Sequence, residues 1–399
     1  MIESTHSYTP MASIGVCLLY AIWGILSVDT ESDKPSAFIS PSGLRLSFPN
    51  DKHWGLSPNV SKNIKRVLII QLAGLGDMVM ATSTIRAIRR LYPNARLCLL
   101  INSRSFGIMK DFPYLDEIFA FKGLGSVFRI IFKLRQGHFD LVINLYRLYS
   151  FKGSIKMFLL FLAINGRYWV GRDTQKMGFF YHLKIPENLK DQKHEIELQL
   201  DIARALGATI DDTTMELPIQ DSDKTFITDF LYKQGVSEND ILIGFNPGGF
   251  RPSRHWFTQR WAQLADTLAE SYRSKVIIIA DKRDAADVES IAALVKYPVI
   301  KLSDLTLPQL VALIARLNLF ITDESGPMHI ACAVKTPLVA LFGPGEVNKF
   351  SPYPPDKRYV VIKKDTQCSP CYKFSCKKRE CMSKISVDDV LSAVKTVLV

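Results

Sequence analysis

A chain of 399 residues is longer than one hydrophobic core usually serves, so two domains are expected. Its 47% hydrophobic and 22% charged residues are typical of a globular protein and argue against a largely disordered chain. The net charge of +11 indicates an anionic partner, such as a phosphorylated small molecule or a membrane surface, and no RNP pattern or zinc-finger spacing favours nucleic acid.

Residues 1–63 differ from the rest and are interpreted as an N-terminal extension. Residues 11–28 carry no charge, but eighteen apolar or small residues are marginal for a membrane span, which needs about 20. Two interpretations stay open, a single membrane anchor and an extension without that role. Basic residues downstream would keep the bulk of an anchored chain in the cytoplasm. Residues 29–63 are rich in Ser, Pro and Asn, as a linker would be.

Strands and helices alternate in the first half of the remaining chain. The apolar patterns predict strands at 66–71, 96–101, 118–121 and 141–144, and helices at 78–91, 127–135, 153–164 and 194–206. The last of these helices ends at Gly207, a natural C-cap. A more polar stretch from 208 to 240 predicts a domain boundary, so the first domain is assigned to residues 64–220.

A second alternation follows in the other half. Strands are predicted at 241–245, 276–280, 299–301, 319–322 and 338–342, and helices at 261–272, 285–295, 307–316, from about 326, and at 387–397. Two runs of βα units predict an α/β protein with two Rossmann-like, doubly wound domains facing a cleft, the second covering residues 221–385. The helix in residues 386–399 has no evident partner in its own half and could return to the first domain.

The most informative motif is Gly74-Leu75-Gly76-Asp77, between the first strand and the first helix. A buried strand, a glycine turn and a helix start build a crevice suited to phosphate at the strand's carboxyl end. No third glycine follows three residues after Gly76, so the dinucleotide fingerprint is missing and a dehydrogenase is disfavoured. Asp77, where the helix begins, is the candidate for chemistry.

Three loops of the second half also follow predicted strands. The turn Asn246-Pro247-Gly248-Gly249 leads to Arg254, which could bind a phosphate, although such a turn is also common on surfaces. Residues 281–284 could reach ribose hydroxyls or form a solvated loop. Residues 322–329 are the strongest of the three, because Gly326 and Pro327 open a helix with free amides and the carboxylates before them suit sugar hydroxyls. His329 on that helix has either a structural or a binding role.

Four of the seven cysteines lie close together in the sequence, at Cys368, Cys371, Cys376 and Cys381. The first pair has zinc-ribbon spacing and the second does not. The quartet therefore predicts either a structural zinc or iron–sulfur site, or plain thiols in a short loop.

The first domain is strongly basic. Between Lys122 and Lys184 there are eleven Lys and Arg residues but only two acidic ones, Asp140 and Asp173. This pattern indicates either an ordinary solvated face or a surface that meets anionic lipid or a phosphorylated acceptor.

Several segments together resemble glycosyltransferase family nine, the ADP-heptose:lipopolysaccharide heptosyltransferases. They are RVLIIQLAGLGDMVMATSTIRAIRRLYP, HEIELQLDIARALG, NPGGFRPSRHWFTQRWAQL and ITDESGPMHIACAVKTPLVALFGP, in order from about residue 65 to the C-terminus. The resemblance implies a GT-B architecture and inverting sugar transfer from an ADP-activated donor, with no cofactor or catalytic metal. It also implies a lipid-linked glycan acceptor and a location on the cytoplasmic side of the inner membrane, peripheral or with one N-terminal anchor.

The resemblance assigns roles to particular residues. Asp77 matches the family's general base. The residues placed at the donor are Gly74, Gly76, Asn246, Gly248, Arg254, Asp284, Glu324, Ser325, Gly326 and His329. Two departures stand out, Gln71 in place of a common basic residue and Glu324 in place of Asp, and the second leaves the transferred sugar open. The alternatives are a GT-B-like sugar-nucleotide epimerase and a non-catalytic, basic, membrane-associated protein.

Overall fold

The computed structural model describes residues 63–188 and 192–398, which form two α/β lobes. The extension with the apolar segment 11–28 lies outside the described residues. Within the described ranges, every helix is too short or too polar to cross a bilayer.

Each lobe is built from six strands and the helices that connect them. The first lobe contains β1 (Arg66–Gln71), α1 (Leu75–Leu91), β2 (Arg96–Asn102), α2 (Phe106–Met109), β3 (Glu117–Phe121), α3 (Gly123–Gln136), β4 (Leu141–Asn144), α4 (Phe151–Ile164), β5 (Tyr168–Thr174), β6 (Leu183–Glu187) and α5 (Glu195–Ala205). The second contains α6 (Asp221–Lys233), β7 (Leu242–Asn246), α7 (Thr258–Tyr272), β8 (Lys275–Ile279), α8 (Ala285–Ala292), β9 (Ile300–Leu302), α9 (Leu307–Arg316), β10 (Leu319–Asp323), α10 (Gly326–Ala333), β11 (Leu338–Phe342), α11 (Val347–Phe350), β12 (Tyr359–Lys363), α12 (Glu380–Ser383) and α13 (Val387–Leu398).

Both sheets are parallel throughout and share one strand order. The first sheet runs β3-β2-β1-β4-β5-β6 and the second β12-β11-β10-β7-β8-β9, which is the same 3-2-1-4-5-6 order when each lobe's strands are counted separately. This is the doubly wound order of nucleotide-binding folds. The two-domain α/β prediction is therefore confirmed.

The sequence patterns placed most of the longer elements within a few residues of their observed bounds, but missed seven elements. Those not predicted are β5 and β6 at one side of the first sheet, β12 at the edge of the second, α6, and the four-residue helices α2, α11 and α12. Residues in β5 and β6 such as Arg172 and Glu187 are charged yet buried, which hides the apolar pattern of a strand.

Each sheet is covered by helices on both faces. In β1, Val67 and Ile69 belong to the core beneath α1 and α5, whereas Leu68 and Ile70 belong to the core beneath α3 and α4. The first of these cores continues into the second lobe through α6, α9 and α10, so the lobes pack together through one apolar cluster. Val387, Val390 and Val394 place α13 against β11, β12 and α7 in the second lobe. The C-terminal helix thus packs in its own half, rather than on the first domain as the sequence had suggested.

Candidate active site

The predicted site residues gather where the strand order of each sheet reverses. In the first lobe this point lies between β1 and β4, and the loop after β1 carries Asp77. In the second lobe it lies between β7 and β10, and the loops after these strands carry Arg254 and Glu324. Helices diverge to opposite faces at such a point and leave a crevice at the carboxyl ends of the strands, which is where open α/β sheets bind ligands.

Asp77 is the third residue of α1 and lies half-buried in the crevice. Burial, and then the negative charge of Glu195, raise the pKa of its carboxyl from 3.8 to about 7. The backbone amides of Gly74 and Asp77 and the guanidinium of Arg172 act in the opposite direction. A carboxyl with a pKa near neutrality can accept a proton and release it again, as general acid–base chemistry requires.

A buried network of charges lies next to Asp77, and sequence reasoning did not identify it. Arg172 pairs with Glu187 at 3.1 Å and also with Glu195, and Arg147 pairs with Glu187 at 2.5 Å. All four side chains are buried. A charged residue within the apolar strand β5, such as Arg172, was the available signal, because a charge is buried only with a partner.

In the second lobe, Arg254 and Glu324 form an ion pair at the crevice. Arg254 Nη2 lies 3.0 Å from Glu324 Oε1, and the Glu324 side chain is only 3% exposed. Burial raises the pKa of Glu324, while Arg254 lowers it. A Cβ on Gly345 would come within about 2 Å of both carboxylate oxygens, so the carboxylate packs directly against that glycine. The Arg254 side chain stays 26% exposed, so its guanidinium remains partly accessible beside the buried carboxylate.

Asn246 and Ser325 hold the loops of the second lobe together. The Asn246 amide donates to Thr322 Oγ1 at 3.1 Å, to Ser325 Oγ at 3.0 Å and to the Gly248 carbonyl at 3.3 Å. Ser325 is the residue before α10, so these bonds fix the start of that helix. Pro327 has no N–H, and the Met328 amide donates to the Ser325 carbonyl at 3.2 Å. An anion at this helix N-terminus would therefore meet the Gly326 amide and the positive end of the helix dipole.

Two aspartates of the second lobe, Asp323 and Asp284, have different surroundings. Asp323 is fully buried and accepts a hydrogen bond from the Trp256 backbone amide at 3.2 Å. It thus has a structural reason to be there, which the sequence analysis did not find. Asp284 lies beside Gly248, where a Cβ would approach Asp284 Oδ2 to 2.6 Å, and partial burial raises its pKa.

Gly76, Gly326 and His329 lie where the lobes meet. A Cβ on Gly76 would be 2.9 Å from His329 Cδ2 and 3.5 Å from Gly326 Cα, and one on Gly326 would be 3.3 Å from the Gly76 nitrogen. The starts of α1 and α10 therefore touch across the cleft. His329 is buried, and burial lowers its pKa to about 3, which keeps the imidazole neutral. Gly74 is exposed and precedes α1.

The segment that contains the clustered cysteines, residues 368–381, supports the loop that carries Arg254. Ser253 donates two hydrogen bonds to this segment, one from its amide to the Phe374 carbonyl at 3.2 Å and one from its hydroxyl to the Lys373 carbonyl at 2.7 Å. Phe374 also packs edge-on against Phe250, with ring centroids 5.4 Å apart. Sequence reasoning missed this contact, because more than 120 residues separate the two segments.

The four clustered cysteines Cys368, Cys371, Cys376 and Cys381 are free thiols. In the part of the chain that the structure describes, no group of three or more His, Cys, Asp or Glu residues is placed to hold a metal ion. The predicted zinc or iron–sulfur site therefore has no support from the structure.

Two doubly wound lobes that face each other across a crevice form the GT-B architecture. The solved structures agree on this fold. The glycosyltransferase family 9 protein of Veillonella parvula aligns with a TM-score of 0.71 at 23% identity over 84% of this chain and 97% of its own. Escherichia coli ADP-heptose lipopolysaccharide heptosyltransferase II aligns with a TM-score of 0.69 at 22% identity, over 84% and 98%.

Sequence comparison gives the family. Residues 127–382 match the profile of glycosyltransferase family 9 (heptosyltransferase), and the chain belongs to this family. It is 24% identical to the lipopolysaccharide core heptosyltransferase OpsX of Haemophilus influenzae, over 72% of this chain and 82% of the relative. It is 28% identical to lipopolysaccharide heptosyltransferase 3 of Escherichia coli, over 67% and 79%. The protein is therefore a glycosyltransferase, as its sequence motifs predicted.

Proposed function

We propose that this protein transfers a heptose or a related sugar from an ADP-activated donor to a lipopolysaccharide core or similar lipid-linked glycan. The raised pKa of Asp77, at the switch point of the first sheet, is the observation that carries the proposal. The names of the family and of its relatives support the sugar and the acceptor. The domain at residues 64–220 would receive the acceptor, and the domain at residues 221–385 the donor.

In the proposed reaction Asp77 acts as general base. An acceptor hydroxyl attacks the anomeric carbon of the donor from the face opposite the diphosphate, and its proton passes to the Asp77 carboxylate. A new bond forms between the anomeric carbon and the acceptor oxygen, while the bond to the phosphate oxygen breaks and ADP leaves. Attack from the opposite face inverts the anomeric configuration.

Arg254 and the N-terminus of α10 would stabilise the departing diphosphate. Arg254 is held at the crevice by Glu324, and Asn246 and Ser325 fix the start of the helix. Preorganised donors aimed at developing negative charge each lower a barrier by about 3 kcal/mol. A guanidinium and a helix N-terminus supply this stabilisation, so the proposed mechanism needs no metal ion.

Glu324 and Asp284 are proposed to accept hydrogen bonds from the donor's hydroxyl groups. Glu324 is nearly buried beside the Arg254 guanidinium, and Asp284 lies against Gly248 in the turn after β7. Carboxylate oxygens accept only, which suits a polyol or a ribose. The longer side chain of Glu324 narrows the space for the sugar by one methylene relative to Asp.

A crossed experiment tests these two roles. Asp77→Asn should lower kcat about 100-fold or more and leave ADP affinity near the wild-type value, because the variant lacks the base but keeps the donor lobe. Arg254→Ala should weaken ADP binding about tenfold or more, because a charged hydrogen-bond donor is removed. ADP affinity is measured by titration calorimetry and turnover by release of ADP.

Asp77→Asn with near-normal turnover would reject the base assignment, and Arg254→Ala with unchanged ADP affinity would reject the phosphate contact. Incubation with the donor alone provides the control against an epimerase. An epimerase would alter the sugar without acceptor, whereas a transferase requires the acceptor.

A further inference from the structure

The outer side of α3 and α4 in the first lobe exposes large aromatic side chains that no core requires. Phe128 is 50% exposed, Phe132 62%, Tyr149 62% and Phe151 54%. Scattered single hydrophobic residues are ordinary on a surface, whereas several in neighbouring positions mark an interaction site. These four residues, together with Arg129, Lys133 and Lys152, are called the aromatic–basic face.

The helices bring these side chains to one side of the lobe. Phe128 and Phe132 are four residues apart on α3 and lie one above the other, while Val127 and Leu134 of the same helix are buried in the core. α3 packs beside α4, and near the C-terminal ends of both helices Arg135 Nη1 donates to the Ala163 carbonyl at 3.2 Å. Both helices follow strands of one parallel sheet, so they run in the same direction. Their N-terminal ends therefore lie at the carboxyl ends of the strands, on the side of the sheet where the crevice opens.

The charge around these aromatic residues is of one sign. Arg129, Lys133 and Lys152 are exposed, and none of them forms an ion pair with a described residue. From Lys122 to Arg172 the sole acidic residue is Asp140, and its carboxylate accepts from the amides of Lys65 and Arg66 at the opposite end of the strands. Among the described residues no carboxylate pairs with these three cations, so they complement an extended anionic surface.

The aromatic–basic face continues into the crevice. Tyr149 lies in the loop between β4 and α4, and the Arg147 guanidinium stacks over its ring at 5.1 Å from the centroid. Arg147 in turn pairs with Glu187 of the charge network beside Asp77. A molecule held at Phe151 and Tyr149 would thus have a short path to the Asp77 carboxyl.

We propose that this aromatic–basic face docks on an anionic lipid bilayer, with the aromatic rings at the boundary of headgroups and acyl chains and Arg129, Lys133 and Lys152 on the lipid phosphates. Exposed aromatic rings interleaved with Lys and Arg are what an interfacial surface needs, since neither apolar burial nor charge alone gives firm binding. The inference rests on the proposed function for its purpose. Docked in this way, the protein would present its crevice to an acceptor whose lipid stays in the membrane.

The test measures depth in the bilayer rather than binding alone, because residues 11–28 could themselves hold the full chain on a membrane. Phe132→Trp places a fluorophore on the face, and Phe226→Trp, on the exposed side of α6 in the second lobe, is the matched control. Each full-length variant is mixed with vesicles rich in phosphatidylglycerol whose acyl chains carry bromine, and quenching is compared with wild type. Phe132→Trp should be quenched beyond wild type, and Phe226→Trp should not.

The contribution of charge is tested in the Phe132→Trp background. Arg129→Glu with Lys133→Glu should raise the lipid concentration that gives half-maximal quenching about 20-fold or more. Each basic residue near such a surface contributes about fivefold to the affinity. Lys224→Glu with Lys233→Glu on α6 makes the same change in net charge and should have little effect.

Equal quenching at both positions, or none at residue 132 on vesicle-bound protein, would overturn the proposal. So would light scattering that shows a dimer dispersed by the Arg129 and Lys133 substitutions, since the occupant would then be a second copy of the chain. Fluorescence needs no turnover, and Asp77→Asn should dock like wild type. Failure of docking and failure of the proposed reaction are therefore separate results.

Discussion

Asp77 is subject to opposing influences at the start of α1. The helix N-terminus and two backbone amides favour its ionised form, whereas burial and the carboxylate of Glu195 favour the protonated one. The second pair prevails, and the pKa rises from 3.8 to about 7. Arg172, shared between Glu187 and Glu195, limits how far this rise can go.

This pKa predicts a pH–rate profile. If Asp77 is the base, kcat/KM should fall about tenfold for each pH unit below 7, where the carboxyl is protonated, and level off above it. The profile is measured from pH 5 to 9 with the donor at saturation. The residual activity of Asp77→Asn should not show this fall below pH 7. A wild-type limb centred near pH 4 would contradict the assignment.

The same pKa predicts a change in stability. The folded-state pKa of Asp77 lies above its unfolded value, so its contribution to stability is fully present below pH 3.8 and is lost as the pH rises through 7. Asp77→Asn cannot ionise and should be more stable than wild type at pH 8, by about 1–2 kcal/mol given its partial exposure.

The stability difference should shrink as the pH is lowered towards 4, measured by chemical unfolding at several pH values. Asp221→Asn is the control, since Asp221 is exposed and Lys224 lowers its pKa. That control should not be stabilised at pH 8. A pH-independent difference for Asp77→Asn would show that ionisation is not its cause.

The donor loops depend on contacts between elements that are far apart in sequence. Glu324 is the first residue after β10, Arg254 lies in the loop after β7, and Gly345 follows β11, yet all three meet at the Glu324 carboxylate. The Phe374 segment supports the same loop from the other side. The position of Arg254 is therefore set by three strand ends and a distant tail.

Gly345→Ala tests this arrangement. The added Cβ would lie 1.9 Å from Glu324 Oε1, and the nearly buried carboxylate has little room to move, so Arg254 should lose its partner. We expect ADP affinity to fall about tenfold, equivalent to about 1.4 kcal/mol, by titration calorimetry. Gly125→Ala, where the Cβ meets nothing within 4 Å, is the matched control. Equal ADP affinity in both variants would show that the ion pair does not govern donor binding.

The two lobes pack together through the shared apolar cluster and through α2 and α9, and two further contacts bear on the position of Asp77. One is the contact between the starts of α1 and α10. The other is formed by His194, whose Nε2 lies 2.9 Å from the Ser351 carbonyl oxygen and whose ring stacks on Tyr353 with centroids 4.5 Å apart. Tyr353 donates to Glu197 at 2.5 Å on the same side. These contacts set how closely Asp77 approaches the donor lobe.

Gly76→Ala should separate catalysis from donor binding. Its Cβ would be 2.9 Å from His329 Cδ2, so the lobes could not approach as closely, and a misplaced base loses much of its effect. We expect kcat to fall about tenfold or more while ADP affinity stays near wild type. Unchanged kcat would mean that the lobe contact is not part of the catalytic arrangement.

The amino-acid sequence by itself determined the two doubly wound lobes, because hydrophobic periodicity and glycine turns are local features. It also indicated Asp77 and the loop 322–329, since each directly follows a buried strand. The strand β5 and the edge strands β6 and β12 escaped detection, because buried charge or partial exposure weakens their apolar pattern.

Only the tertiary structure decided which charges surround the site and how the lobes meet. Glu195 lies 118 positions after Asp77 in the chain, and the packing of α5 against α1 brings them together. The packing of α13 in its own half and the support of the Arg254 loop by the cysteine segment were decided in the same way. Long-range contacts follow from how whole faces pack, and no local pattern of residues encodes that packing.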